Sequence, residues 1–279
     1  MISNKAFKFK GSDARWITAD LSYRSYEHDV PIAVFAHGFK GFKDWGAWPL
    51  AAQIFALKGI PFFKFNFSHN GTTPDSLGDF NDLEAFGKNT ISKELADLSH
   101  VLDFIQENHE SFEFNWNGKV HLIGYSRGAA SCLLFSVNDE RVTSCVSWAG
   151  MNDLSSYLEL EDPIKWQQEG VCYIDNARTG EKMPIEFGFF EDLVSHKEEY
   201  NVMNQIEELK QDLLILHGEK DTVIPHSAAD EMYASVGHSI LVTIDNANHT
   251  FNTSHPLKEK KIPLAFAQML EETLEFLLM

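Results

Sequence analysis

The sequence predicts an α/β protein: a mostly parallel sheet covered by helices on both faces, in a single domain of residues 1–279. Three observations carry this. Short, predominantly apolar runs recur at residues 31–36 (PIAVFA), 60–67 (IPFFKFNF), 120–123 (VHLI), 143–149 (TSCVSWA) and 212–216 (DLLIL), the pattern of strands buried on both faces. Segments with helical periodicity separate them, and strands that alternate with helices pair in parallel. No repeat, low-complexity tract or linker divides the chain.

In order, residues 5–10 (KAFKFK) and 16–23 (WITADLSY) alternate polar and apolar positions and predict two half-exposed antiparallel strands. The buried strand at 31–36 runs into His37-Gly38-Phe39-Lys40-Gly41, and a helix follows over 45–57, closed by Gly59. After the strand at 60–67, residues 68–87 are polar and glycine-bearing, a long loop with short helical turns at most. Ile91, Leu95, Leu98, Leu102 and Ile105 recur at spacings of four and three, which makes 91–105 an amphipathic helix. Residues 151–201 interrupt the alternation with a hairpin inside 170–188, which includes Phe187, flanked by helices that carry Tyr157, Trp166, Phe189 and Phe190. Placed beyond a strand's carboxyl end, this aromatic insertion is expected to cap a pocket, with Trp166, Phe187, Phe189 and Phe190 as candidate walls; the alternative is that these rings pack only on one another. Regularity resumes at 212–216, then with a helix opened by a capping-box-like Ser227–Asp230 and stopped at Gly237, a last strand at 239–244, and a final helix with Leu264, Ala267, Leu270, Leu274 and Leu277 on one face.

Composition narrows the function classes. Hydrophobic residues make up 44% of the chain and 22 residues are phenylalanine, enough for a large core. A net charge of −18 argues against nucleic acid, anionic membrane surfaces and highly anionic substrates as partners. Cys132, Cys145 and Cys172 have no metal-ligand spacing and read as buried thiols of a reducing compartment. The first residues hold no signal-peptide-like apolar run and no stretch reaches the length of a membrane span, so a cytoplasmic location is expected.

The chemistry centres on residues 119–130 (KVHLIGYSRGAA), where a short strand meets Gly124-Tyr125-Ser126-Arg127-Gly128 and then a helix of small and apolar residues. A G-x-S-x-G match in this strand–turn–helix setting puts a serine at the apex of a strained turn, its hydroxyl clear of the sheet. The amide of Arg127 then opens a helix, where backbone N–H groups face an anion. Two further strand ends carry reactive types: Asp221 follows 212–216, and His249 follows 239–244. An alcohol is a weak nucleophile at neutral pH and needs a base beside it; the base in turn needs a carboxylate to fix its tautomer.

The order Ser126, Asp221, His249 resembles the α/β-hydrolase superfamily. His37–Gly41 resembles that family's oxyanion segment, Gly124–Gly128 its nucleophile elbow, 218–225 (GEKDTVIP) its acid loop, and Ala247-Asn248-His249-Thr250-Phe251 its histidine loop. The resemblance implies Ser126 as nucleophile, His249 as base, Asp221 as acid, and the amides of Phe39 and Arg127 as the oxyanion hole. Asp153 is the alternative acid, since some relatives place theirs after the preceding strand. His226 and His255 are rivals for the base; His226 reads as a helix-entry residue, Glu219 as a solvated turn residue and His37 as a support for the oxyanion loop. The HGF-type loop and modest cap look like small cytoplasmic carboxylesterases, cinnamoyl-type esterases and relatives of dienelactone hydrolase; where the last carry a cysteine nucleophile, this chain has Ser126. The function implied is hydrolysis of a small-to-medium carboxylic ester, a small-molecule substrate, through an acyl-enzyme, with no metal or organic cofactor. The alternatives are a peptidase or thioesterase of the same fold, or a non-catalytic ligand-binding member.

Overall fold

The computed structural model describes residues 1–176, 178–258 and 261–279. The chain opens with β1 (Ile2–Lys10) and β2 (Trp16–Arg24), an antiparallel pair. Then come β3 (Val30–Ala36), α1 (Trp48–Leu57), β4 (Phe62–Asn66), α2 (Leu83–Gly87) and α3 (Ile91–Asn108). β5 (Trp116–Tyr125), α4 (Arg127–Val137) and β6 (Val142–Trp148) follow. The insertion holds α5 (Pro163–Glu169), the hairpin β7 (Val171–Asp175) with β8 (Lys182–Glu186), and α6 (Phe187–Ser195). The chain ends with α7 (Val202–Ile206), β9 (Asp212–Gly218), α8 (Ser227–Ser235), β10 (Ser239–Ile244) and α9 (Leu264–Leu277).

The main sheet has eight strands in the order β1-β2-β4-β3-β5-β6-β9-β10. From β4 to β10 the pairing is parallel throughout, and β2 joins β4 antiparallel. Period-2 alternation divides each central strand between two cores. Val34, Leu122, Cys145 and Ile215 face the core roofed by α3 and α4, while Phe35, Ile123, Val146 and Leu216 face the core roofed by α1 and α9. That two-sided burial is why these runs read as continuously apolar. Parallel pairing also puts the carboxyl ends of β3, β5, β6, β9 and β10 on one edge, where the loops holding Phe39, Ser126, Asp221 and His249 begin.

Three local expectations need correction. In α9 the buried seam is Phe266, Met269, Leu270, Thr273, Leu274 and Leu277, whereas Leu264 is 89% exposed and Ala267 half-buried. Thr273 belongs to that seam because its hydroxyl accepts a hydrogen bond from the Trp148 indole at 3.0 Å, which apolar counting misses. Ser227 does not cap α8: His226 takes the N-cap position, with its ring on Asp230 and Thr243. β5 begins at Trp116, earlier than its apolar run, because Gly118 at φ +84° and a register shift against β3 carry the polar residues of 116–119. Among the described residues, no helix is long and apolar enough to cross a membrane, and no group of three or more His, Cys, Asp or Glu side chains is placed to hold a metal ion. The three cysteines are free and buried.

The Trp148–Thr273 bond ties β6 to α9 inside the second core. Replacing Thr273 by the isosteric valine strands a buried indole N–H, so Thr273→Val should cost about 1–3 kcal/mol in urea unfolding. No change in midpoint would mean that the bond contributes nothing.

Candidate active site

β5 ends at Tyr125 and α4 starts at Arg127, leaving Ser126 alone to turn the chain, at φ 56° and ψ −121°. A non-glycine residue there is strained, by about 1–3 kcal/mol. Both flanking glycines are required by close approach. A Cβ on Gly124 would lie 2.4 Å from Ala129 Cα, and one on Gly128 would lie 2.4 Å from the His37 carbonyl oxygen. The helix therefore starts hard against its own strand and against the end of β3. Backbone bonds fix the turn further: Ser126 N–H donates to the Trp148 carbonyl, and Met151 N–H donates to the Ser126 carbonyl.

The Ser126 hydroxyl lies 3.1 Å from His249 Nε2, and His249 Nδ1 lies 2.7 Å from Asp221 Oδ2. The carboxylate can only accept, so the imidazole proton sits on Nδ1 and Nε2 is free to accept from Ser126. The loops that bring these groups together are themselves tied: Lys220 N–H donates to the Ala247 carbonyl, and a Cβ on Gly218 would lie 2.4 Å from that same oxygen. Asp221 Oδ1 accepts from the backbone N–H groups of Val223 and Ile224. Burial pushes the Asp221 carboxyl up, but hydrogen bonds from His217, His249 and Ile224 outweigh it and hold the group below the usual carboxylate range. It is ionised at neutral pH.

Asp153, the alternative acid, is exposed and accepts from the Ser155 N–H in a local turn; it does not join this chain of bonds. Glu219 is exposed and accepts from Asn246 N–H. His226 stands at the N-terminus of α8 with its ring on Asp230 and Thr243, and His255 accepts from the Gly46 N–H.

The loop after β3 packs directly on the serine: a Cβ on Gly38 would lie 2.9 Å from Ser126 Cβ. Phe39 follows, within a turn closed by the Gly41 N–H on the Gly38 carbonyl. His37 holds the loop from below. Its Nδ1–H donates to the Gly38 carbonyl at 2.9 Å, and Nε2 accepts from Phe67 N–H and Asn70 Nδ2. Burial pushes His37 down to about 4, so it stays neutral and serves as a strut. The Arg127 amide, at the first position of α4, has no intrahelical acceptor. It stands beside Ser126.

The side chain of Arg127 was not singled out by its motif position, yet it is 4% exposed and organises the surroundings. Its guanidinium pairs with Glu94 of α3, which also accepts from Ser131 and Asn89. It lies 4.2 Å from the Phe39 ring centroid, 5.5 Å from Tyr157 and 5.8 Å from Phe189. Glu94 takes a place on the buried stripe of α3, while Leu95 is only partly buried. A carboxylate within an apolar stripe, facing a motif arginine, is the signal that periodicity alone passes over.

The insertion aromatics divide. Trp166 has no exposed surface; its indole donates to the Ile185 carbonyl and its ring packs edge-on against Phe187 and Phe190, which stack on each other at 5.2 Å. These three form the ring-on-ring arrangement, and Trp166 offers no surface to a substrate in this structure. Phe189 turns the other way, edge-on to Tyr157, which packs edge-on against Phe39.

No family model matches the chain, and no curated protein matches its sequence. Solved structures do match it over nearly its whole length. Est1E from Butyrivibrio proteoclasticus with ferulic acid bound has a TM-score of 0.73 at 17% identity, covering 98% of both chains. The esterase domain of a Rhodothermus marinus protein has 0.65 at 18%, covering 98% of this chain and 97% of that one. A puromycin-hydrolyzing peptidase of Mycobacterium tuberculosis has 0.67 at 16%, covering 98% of this chain and 38% of the peptidase. With its parallel sheet and strand order, the chain has the α/β-hydrolase fold.

Removing the Arg127 guanidinium leaves Glu94 buried and unpaired. Arg127→Met should destabilise the fold by about 3–5 kcal/mol, and Arg127→Met with Glu94→Leu should recover most of that loss in chemical unfolding. Equal losses in the single and double variants would show that the pair is not the source.

Proposed function

We propose that the chain is a serine hydrolase that cleaves a small-to-medium carboxylic ester through an acyl-enzyme. The observation that carries this reading is the unbroken bond sequence Ser126–His249–Asp221 at three strand ends. Ser126 Oγ attacks the ester carbonyl while His249 Nε2 takes its proton. Asp221 holds the ring and stabilises the imidazolium without itself taking a proton. The amides of Phe39 and Arg127 receive the negative charge that develops on the carbonyl oxygen, donors worth about 3 kcal/mol each in such sites. His249 then returns the proton to the departing alkoxide, releasing an alcohol. Water, activated by the same imidazole, frees the acid and restores Ser126.

The likeness to Est1E with ferulic acid and to an esterase domain supports an ester substrate; the likeness to a puromycin-hydrolyzing peptidase supports an amide as the second reading. In this reading residues 151–201 cap the site. The half-buried Phe39 offers the site an apolar face, backed by the buried Tyr157 and Phe189, and Trp166, Phe187 and Phe190 pack on one another within the cap.

A fluorophosphonate probe reports an activated serine whatever the natural substrate. Wild-type protein should label and should turn over short p-nitrophenyl esters. Ser126→Ala should lose the label and at least about 1,000-fold in kcat with the fold intact. Unchanged turnover in that variant would remove the serine mechanism.

A further inference from the structure

We propose that His217 is a positioning residue for Asp221, so that the working relay has four members: Ser126, His249, Asp221 and His217. The proposal rests on the serine-hydrolase reading and adds to it a residue that touches no substrate.

His217 stands near the end of β9, with no exposed surface. Its Nε2 lies 3.0 Å from the Ile224 carbonyl oxygen and 3.3 Å from Asp221 Oδ2. Both neighbours can only accept, so the ring carries its proton on Nε2 and that proton is shared between them. One imidazole thus grips the acid loop at two points, the carboxylate and the carbonyl three residues on.

Counted at the carboxylate, the arrangement is complete. Oδ1 takes the N–H groups of Val223 and Ile224, and Oδ2 takes His249 on one side and His217 on the other. A carboxylate accepts about four donors, and here three hydrogen bonds and the 3.3 Å approach of His217 Nε2 surround it. Asp221 cannot rotate away from His249 without breaking bonds on both oxygens. The opposite end of the ring makes the case from the other direction. His217 Nδ1 is buried and has no hydrogen-bond partner among the described residues. A phenyl ring would fill the same space without stranding a nitrogen there. What the imidazole adds over a hydrocarbon is therefore the Nε2 proton.

The surrounding groups leave that proton where it is. The His226 ring packs edge-on to His217 at 5.6 Å and makes its own bonds to Asp230 and Thr243. Tyr125, whose ring lies 5.1 Å from His249, has its phenol driven up by burial and by the Asp221 charge, and stays neutral. Asp221 is the anion facing His217, and His249 is the group facing Asp221 from beyond it. If the His217 donor is removed, Oδ2 directs more of its charge at His249, and the carboxylate gains freedom to turn. The first effect favours the imidazolium; the second blurs the tautomer lock.

The test compares His217→Phe, which keeps the ring shape, with His217→Gln, which keeps an N–H donor, in p-nitrophenyl acetate hydrolysis across pH. His217→Phe should lower kcat by about tenfold to a hundredfold with KM unchanged. It should also move the acid limb of the kcat/KM profile to higher pH. His217→Gln should restore most of kcat and bring the limb back. Wild-type behaviour in His217→Phe, or equal impairment of both variants with the limb unmoved, would overturn the proposal. Should His217→Phe fail to fold, nitrogen NMR of the wild-type imidazoles at neutral pH decides instead. The proposal requires the Nε2–H tautomer at His217 with Nδ1 bare; the Nδ1–H tautomer or a doubly protonated ring overturns it. This reading needs no activity, so failure of wild-type protein to label with fluorophosphonate would count against the hydrolase reading alone.

Discussion

A single residue in the left-handed backbone region, Ser126, sets the terms for the whole carboxyl edge of the sheet. Holding a serine at φ 56° costs free energy that the surroundings must offset. They do so by contact: Gly124 and Gly128 let α4 start against β5 and against the end of β3, with spaces too small for a Cβ. The hydroxyl is thereby lifted off the sheet toward His249, and the first amide of α4 is left beside it. The loops that follow β3, β9 and β10 each close on a neighbour by backbone contact, so the site is assembled by strand ends and not by long side chains.

The second organising element is electrostatic. Two charged groups, Arg127 and Glu94, are buried behind the serine, where an unpaired charge would be costly. Paired, they connect four parts of the structure: α3, the turn at Ser126, the loop after β3 through Phe39, and the insertion through Tyr157 and Phe189. The insertion is accordingly continuous with the main core. Trp166, Cys172, Met183, Ile185 and Phe189 belong to the same apolar cluster as Leu98 of α3 and Leu133 of α4.

Much of the fold was legible in the sequence because burial on both faces leaves a plain signature. Phe35 and Val34 point to opposite cores, so the run around them contains no polar gap. Ser126 and Asp221 were legible because each follows such a run; His249 follows the half-exposed edge strand β10, where the alternation of strand and helix is the guide. What the sequence hid were polar residues doing buried work. Thr273 interrupts the apolar face of α9 and accepts there from the Trp148 indole. Glu94 is a carboxylate within the buried stripe of α3, as Asp97 is. His217 looked like the tail of a strand and faces the acid. Their partners lie 125, 33 and 4 residues away in sequence, so no local pattern announces the first two. Trp166 shows the opposite case: a large aromatic in an insertion suggests a pocket wall, but its indole N–H is satisfied inward by Ile185.

The central chemical commitment is a covalent bond between the acyl group and Ser126 Oγ. Rapid quenching of the protein with p-nitrophenyl butyrate, followed by peptide mass spectrometry, tests it directly. An acyl-enzyme mechanism requires a butyryl increment on the peptide containing Ser126, formed with the release of nitrophenol and lost at the rate of turnover. Turnover without such an adduct, or an adduct on another side chain that decays at that rate, would contradict it.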